Sequence, residues 1–504
     1  MVVYKGFKTR KYLFVILTFL LLILVNIIVF SNVGSNNFSY FDNGFWIKLY
    51  GTLGWISLFW SILTWKLLRN ELLSIYTIFL IVLYLFSFGH SLMLVLGLVS
   101  EPDWLLSQIT INQLIGAQSF TLLCLISFHL GALIICKPSV NNTYIKNNLY
   151  PNTNITEETE RINKSIKYVA IILLILSLPS FIYNTVITTI TVMKHGYMAL
   201  YGYDDYVENS VGLLGKIFSF TSQFFVPALI CLLVAFREDV RKRKLIFLLM
   251  VVYIIDTLYI GGRNDAVTLV LVIICIYHYS IKPIKLKGAF KIAVFGYLFV
   301  SFLTIVARLR SIVDKSISDY LVLFIDSFFR ENLFIVTIIE LGGSMFPLAK
   351  VMQIFPSNVE FWEGKSYVYA VISVVPNLGF WDIHPATKYA DGPHWLMDYL
   401  NMSYGPGFSL FADAFRNFGW IGFFVFIIFG FIFGKIYSSI DKNTILIRPD
   451  IFCLVMIFAE ATIMSVRGDN LYIIRPLFYI VIPIYILIRI INNHFINKQK
   501  SANQ

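Results

Sequence analysis

Residues 12–30 read YLFVILTFLLLILVNIIVF, a run without one charged side chain. At a rise of about 1.5 Å per residue, such a helix crosses a hydrocarbon core roughly 30 Å thick. The pattern recurs along the chain. Of 504 residues 58% are hydrophobic and 14% charged, with a mean hydropathy of +0.75. A soluble domain carries about 25% charged residues, so this chain lacks the polar surface to face water on all sides. Lipid is the solvent that resolves the imbalance. The first run follows Lys5, Lys8, Arg10 and Lys11 and lacks a small-x-small cleavage site, so it reads as a retained first span and not as a signal peptide.

Working outward, the length criterion predicts about 12 transmembrane helices. They lie near 12–30, 46–65, 73–98, 111–136, 168–192, 213–236, 245–260, 266–281, 292–307, 420–437, 451–466 and 472–491. Lys and Arg collect in alternate connections: the N-terminus, the Lys66/Arg69 turn, and segments 146–167, 237–244, 282–291 and 435–448. By the positive-inside rule these are cytoplasmic, together with both termini. Connections bearing Asp42, Glu101, Asp103, Asp204, Asp205 and Glu208 fall outside. The net charge of +11 thus reports membrane orientation and no nucleic-acid partner. The five cysteines fall in or beside apolar runs without metal-ligand spacing, so neither a metal nor a redox compartment is implied. Segment 137–167, rich in Asn and Thr, reads as a flexible linker, and no internal repeat of the transporter kind is visible.

The fold class expected is an all-α integral membrane protein in three parts. Residues 1–307 hold nine spans, 308–419 form one large extracytoplasmic loop, and 420–504 hold three spans and a cytoplasmic tail. The loop is not a hydrophilic linker. Residues 320–341 have a helical, mostly apolar pattern broken by Asp326, Arg330, Glu331 and Glu340, as expected of a helix on or in the outer membrane face. Six prolines, many aromatics, His384 and His394 follow. Ordered loops of this length are uncommon unless functional.

Ionisable groups at membrane depth are costly and usually functional. Several cluster at predicted outer span ends: the GGRND turn (261–265) with Asp256 below it, the ARLR end carrying Arg308 and Arg310, and SVRGDN with Arg467 and Asp469 after Glu460. A guanidinium fork grips phosphate oxygens bidentately and stays charged, so these arginines suit a diphosphate. Snorkelling to the interface or helix–helix ion pairing is the plainer reading of each one. Arg263 stands apart, because a Gly-Gly turn lets backbone approach a ligand and arginine is disfavoured outside. His384 or His394 can act as general base, although a structural histidine is commoner. Asp391, Asp398 and Asp413 serve equally as acids, bases or solvated turn residues.

The twelve-span layout with one late outer loop, IGGRNDAVTLVLVIICIY (260–277) and GPGFSLFADAFRNFGWIGFFVFIIFGFIFGKIY (405–437) together resemble the Wzy-type polysaccharide repeat-unit polymerases, the O-antigen or capsule polymerase family. The second stretch is similar to the family's loop exit: a Ser and an acidic residue (Asp413), then Asn-Phe-Gly before a Gly-rich span. As architecture the likeness covers most of the chain, and as motif about 40 residues.

The resemblance implies a GT-C-like, metal-independent inverting glycosyltransferase of the bacterial plasma membrane, without cofactor. It would move a growing glycan from undecaprenyl diphosphate onto a lipid-linked repeat unit. Its implied partners are those lipid-linked oligosaccharides, the bilayer, and a chain-length regulator and flippase of the same pathway. Arg263, Arg308, Arg310 and Arg467 are the expected diphosphate ligands, with Arg330 and Arg416 as weaker members. His384, His394 and Asp413 are the expected catalytic groups. Trp362, Trp381 and Trp395 suit stacking on sugars. An O-antigen-type ligase is the nearest alternative, and a lipid-linked oligosaccharide flippase or transporter the next.

Overall fold

The computed structural model describes residues 2–34, 43–99, 104–137, 154–197, 200, 213–309, 312, 316–377, 381–402, 405–441 and 443–502. In chain order its helices begin with α1 (Val2–Gly34), α2 (Asn43–Arg69), α3 (Ile75–Val95), α4 (Trp104–Gln108), α5 (Ile111–Ile135) and α6 (Asn154–His195). Then come α7 (Leu213–Ser222), α8 (Phe225–Ala235), α9 (Val240–Ile260), α10 (Arg263–Ile276), α11 (Leu286–Leu309) and α12 (Ile317–Arg330). The loop region holds α13 (Leu333–Gly342), α14 (Met345–Ile354), α15 (Lys365–Ile372), α16 (Pro385–Tyr389) and α17 (Gly392–Leu400). The chain closes with α18 (Leu410–Phe418), α19 (Phe423–Tyr437), α20 (Thr444–Ile447), α21 (Pro449–Thr462), α22 (Leu471–Pro476) and α23 (Ile482–Ala502). No strand occurs among the described residues, and the protein is an all-α, multi-pass membrane protein. Leu13, Ile16, Phe19, Leu20, Leu24 and Ile27 of α1 stay exposed on the folded chain, a surface that only lipid tails solvate well.

Eleven helices among the described residues are long and apolar enough to cross a membrane, and they differ from the predicted set in three places. The helices at 46–65 and 245–260 form, as parts of α2 and α9, but neither meets the span criterion. Small and polar residues dilute α2, and α9 opens on Arg241–Lys244. Leu333–Ile354, expected inside one continuous loop, does meet it. Glu340 and the Gly342-Gly343-Ser344 break, where the chain leaves α13 for α14, hid this segment in the sequence. Segment 137–167 is also not a linker throughout: α6 begins at Asn154, its acidic opening of Glu157, Glu158 and Glu160 suited to the positive end of the helix dipole.

Two compact units make up the chain. The first comprises Met1–Ser139, Ile338–Ser439 and Thr462–Arg475. Its centre is the packing of α5 along α19. A Cβ on Gly430 would lie 1.8 Å from the Phe128 carbonyl oxygen, so these backbones touch with no room for a side chain. The Gly430-x-x-x-Gly434 pattern is therefore used within the chain, in the manner of small-residue helix contacts in membranes. Against α5 and α3 lies α14. Met345 meets Ser91, which Gln118 also reaches, while Gln353 bonds Gln113. In helical register α14 climbs from the depth of Gln118 to the end at which α5 starts. Residues after Ile354 emerge at that end.

The second unit comprises Val140–Thr337, Ile440–Ala461 and Pro476–Gln504. Here α11, α12 and the α9–α10 turn share an apolar cluster that includes Leu258, Ala266, Leu303, Val306, Tyr320 and Leu333. Gly261 ends α9 at φ +108°, a left-handed cap that a side chain disfavours. On α12, Leu321, Val322, Ile325 and Phe329 remain exposed, Phe329 to 83%. Facing away from the cluster, they form an apolar stripe.

Candidate active site

The loop-exit stretch folds as α18, capped by Ser409, whose hydroxyl accepts the Ala412 amide at 3.1 Å. The helical turn sets Asp413 and Arg416 three residues apart on one face, and both side chains are wholly buried. Arg416 Nε donates to Asp413 Oδ1 at 2.7 Å. Its NH2 lies 2.7 Å from the same oxygen, but at an angle short of a hydrogen bond, and neither NH1 nor NH2 has a hydrogen-bond acceptor among the described residues. Asn470 donates to Asp413 Oδ2. Both carboxylate oxygens are thus engaged, and the carboxylate serves to neutralise and orient the guanidinium.

Three aromatic rings enclose that guanidinium: Trp362 at 4.4 Å, Phe408 at 4.8 Å and Trp395 at 5.6 Å from its carbon. Each is within cation–π range. Asn417 holds the Trp362 segment in place, accepting the Gly364 amide at 3.0 Å and donating to Ser366 at 2.7 Å. The Trp362 and Glu363 amides in turn bond the carbonyls of Arg416 and Asn417. Trp362 and Trp395 are only half-buried, so each covers the cation with one part and offers the rest to the surroundings.

The turn after Arg467 is the base of this arrangement. Asp469 Oδ2 accepts the Gly392 amide at 2.8 Å and Oδ1 the Leu471 amide at 2.9 Å. Burial, reinforced by the neighbouring Asp413 carboxylate, pushes the Asp469 carboxyl up to about 7. Arg467 is exposed, its Nε 3.8 Å from where a Cβ on Gly407 would sit, next in sequence to Phe408 of the cage.

The two loop histidines differ. His384 caps α16, its Nδ1 accepting the Ala386 amide at 3.1 Å while Nε2 lies 3.0 Å from the Val375 carbonyl. Both ring nitrogens serve backbone. His394 places Nδ1 2.8 Å from Asp391 Oδ2 and its imidazole is 66% exposed. Trp381 packs edge-on against His384 at 4.8 Å.

In the second unit, Arg263 opens α10 and its NH1 donates to the Leu303 carbonyl at 3.4 Å. Arg308 pairs with Glu331 and reaches Ser327 at 3.4 Å. Arg330 pairs with Asp326 at 2.6 Å, four residues back on an exposed face, an arrangement worth less than about 1 kcal/mol. Arg310 lies outside the described residues, as do Glu101, Asp103, Asp204, Asp205 and Glu208. The first unit therefore gathers Asp413, Arg416 and His394 through a few hydrogen bonds and ring contacts, with Arg467 beside Gly407. The sequence marked Asn417 only as part of the Asn-Phe-Gly motif and did not single out Asn470; the signal of each as a site residue is weak, an amide side chain beside apolar spans, where an unpaired polar group is costly.

Among the described residues no group of three or more His, Cys, Asp or Glu side chains can hold a metal ion. The family model described as O-antigen polysaccharide polymerase Wzy matches residues 12–500. No curated protein and no solved structure matches the chain.

Proposed function

The chain belongs to the Wzy family of O-antigen polysaccharide polymerases, and from that premise we propose that it joins glycans carried on undecaprenyl diphosphate, by inversion, at the outer face of the plasma membrane. Polymerisation of repeat units is the general activity of the family.

The observation that carries it is Arg416. A buried guanidinium paired with one carboxylate keeps two terminal nitrogens without a hydrogen-bond acceptor among the described residues, inside a cage of three aromatic rings. Phosphate oxygens suit such donors. When a glycosyl–phosphate bond breaks, negative charge builds on the departing diphosphate, and a fixed cation in low dielectric stabilises it most where that charge appears. Trp362 and Trp395 turn about two side-chain bonds, so a phosphate reaches NH1 and NH2 by displacing a ring edge. The rings then flank the sugar next to the diphosphate. Arg467, exposed beside Gly407, is a second ligand in this reading, whereas Arg263, Arg308, Arg310 and Arg330 of the second unit stay diphosphate candidates of their own, by charge alone. The carboxylate partners of Arg308 and Arg330 make those two the weaker members.

Register and charge support the outer face. The loop after Ile354 emerges at the end where α5 starts, and the connection at that end bears Glu101 and Asp103 with no Lys or Arg between Leu96 and Ile111. By the positive-inside rule that end is extracytoplasmic.

The test is complementation of a strain lacking the gene, with the glycan resolved on a gel. The expected result is a ladder with the wild-type chain and single repeats with Arg416→Gln or Arg416→Lys at equal membrane abundance. A full ladder with both variants removes Arg416 from the site. Labelling of a single cysteine near His384 only from the cytosol puts the site on the wrong side.

A further inference from the structure

The second unit carries a pocket of its own, about 380 Å³ in volume, where the start of α6, the turn from α8 to α9 and α20 meet. It lies at the end of the span Ile217–Ala235, beside the basic stretch 241–244, which the positive-inside rule makes cytoplasmic. Hydrogen bonds fix its walls. Thr159 donates to the Leu446 carbonyl at 3.0 Å, and Asn163 donates to the Ala235 carbonyl at 3.1 Å. The Asn163 oxygen accepts Arg237 NH1 at 2.8 Å, and NH1 also donates to the Val234 carbonyl at 3.1 Å. The Arg237 side chain is only 9% exposed. Its NH2 meets Glu238 no closer than 3.7 Å, too far for a hydrogen bond, and its Nε has no acceptor among the described residues. A buried guanidinium in this state still offers donors to an oxyanion.

The same pocket is lined by carboxylates. Asp239 is engaged: it accepts the Arg241 and Lys242 amides as the cap of α9 and pairs with the Lys242 ammonium at 3.1 Å. Glu238 and Glu160 are exposed, and Glu160 has no partner among the described residues. A simple phosphate would satisfy Arg237 and be repelled by these two glutamates. A simple cation would satisfy the glutamates and be repelled by Arg237. A molecule that carries both charges a few bonds apart satisfies every wall at once.

We infer that this pocket binds a phosphate ester bearing a primary amine, the chemistry shared by the headgroup of an aminophospholipid and by free phosphoethanolamine. The phosphate takes the Arg237 donors, and the ammonium lies between Glu160 and Glu238. Primary amines are favoured over quaternary ones for a reason of geometry. Quaternary ammonium groups donate no hydrogen bond and are held by aromatic cages. Phe236 is the one aromatic residue lining the pocket, and Lys167 and Lys242 already lie over its ring at 5.2 and 4.7 Å. Apolar lining by Ala235, Phe236 and Leu446, the last 57% exposed, gives acyl chains a surface to leave along. The site is independent of the polymerase reading, because no residue of the first unit enters it.

The experiment places the full chain in nanodiscs of phosphatidylcholine mixed equally with phosphatidylethanolamine or phosphatidylglycerol, and counts by mass spectrometry the lipid that stays with the protein after extraction. Phosphatidylethanolamine is expected to be enriched about tenfold over phosphatidylcholine, the ratio that one charge-assisted hydrogen bond supplies. The double variant Glu160→Gln, Glu238→Gln should bring that ratio close to one. Both side chains are exposed, so this variant keeps the fold, whereas Arg237→Gln also loosens the end of α8. In detergent, O-phosphoethanolamine should raise the melting temperature of the wild type and leave that of the double variant unmoved. Lipid enrichment assigns the pocket to the inner leaflet; a melting shift with the soluble compound and no lipid enrichment assigns it to the free ester. Phosphatidylglycerol retained as well as phosphatidylethanolamine, with both indifferent to the glutamate changes, means that segment 241–244 attracts anionic lipid and overturns the site. Neither enrichment nor a melting shift overturns it as well.

Discussion

Asp469 accepts the backbone amide of Gly392 at 2.8 Å, fixing the start of the helix that carries His394 to a turn 77 residues further along the chain. The next residue in that turn, Asn470, grips the carboxylate that holds Arg416. One short turn between two spans thus supports both sides of the candidate site, and its chemistry sets how the site responds to pH and to substitution.

Stability should fall as pH rises through neutrality. Asp469 is pushed up to about 7 by burial and by Asp413, against about 3.9 in an unfolded chain. The folded protein therefore binds this proton more tightly than the unfolded chain. The corresponding stability is complete below about pH 4 and is lost as pH climbs through about 7, by on the order of a few kcal/mol. Melting temperature in detergent should decline between those limits for the wild type. In Asp469→Asn, which keeps an acceptor oxygen, the decline should be smaller, and parallel curves would refute the assignment.

Truncating Arg416 should destabilise more than removing the pair. Arg416→Ala leaves Asp413 buried and ionised, an arrangement that costs about 3–5 kcal/mol. Changing Asp413 to Asn as well relieves that charge and should recover part of the loss. Thermal unfolding of the two single variants and the double variant measures the coupling. Strict additivity would mean the two side chains do not interact.

His384 should matter to the fold and little to the reaction. Its imidazole caps α16 and ties Val375, so His384→Ala should cost roughly 1 kcal/mol, as loss of a cap does. Polymer length in cells should stay near wild type once protein levels are matched. A folded, abundant His384→Ala protein without polymer would place catalysis at His384 itself.

Gly430 should tolerate nothing larger. Its Cβ would meet the Phe128 carbonyl at 1.8 Å, whereas one on Gly296 of α11 meets nothing within 4 Å. Gly430→Ala should lower stability by about 1–3 kcal/mol or more through overpacking. Gly296→Ala should be neutral or stabilise by up to about 1 kcal/mol, since alanine favours helix. Equal melting points for the two variants would argue against the α5–α19 contact.

Most of the architecture was legible because a span is a local object. Residues 12–30 declare themselves by length and composition alone, and so do the helices that became α3, α5 and α11. Leu333–Ile354 was missed for an equally local reason: one glutamate and a Gly-Gly-Ser break mask an apolar stretch that packing against α3 and α5 makes tenable. The site was legible in part. The spacing of Asp413 and Arg416 could be read as one helix face, but with Arg416 ranked behind Arg263 and Arg308. Nothing local says that Arg416 is wholly buried, that Trp362 and Trp395 close over it, or that Arg308 already has a glutamate.

The sequence by itself determined the solvent of this protein, its helical class and the positions of most membrane helices, because hydrophobic transfer depends on residues within one helix length. Tertiary structure decided which polar groups meet. Asp391, Asp413 and Asp469 read alike as acidic residues near turns; their roles differ because the fold gives one an imidazole, one a guanidinium and one a backbone amide. Coulomb and hydrogen-bond energies depend on distance and burial, and chain positions as far apart as Gly392 and Asp469 come within 2.8 Å only once the helices have packed.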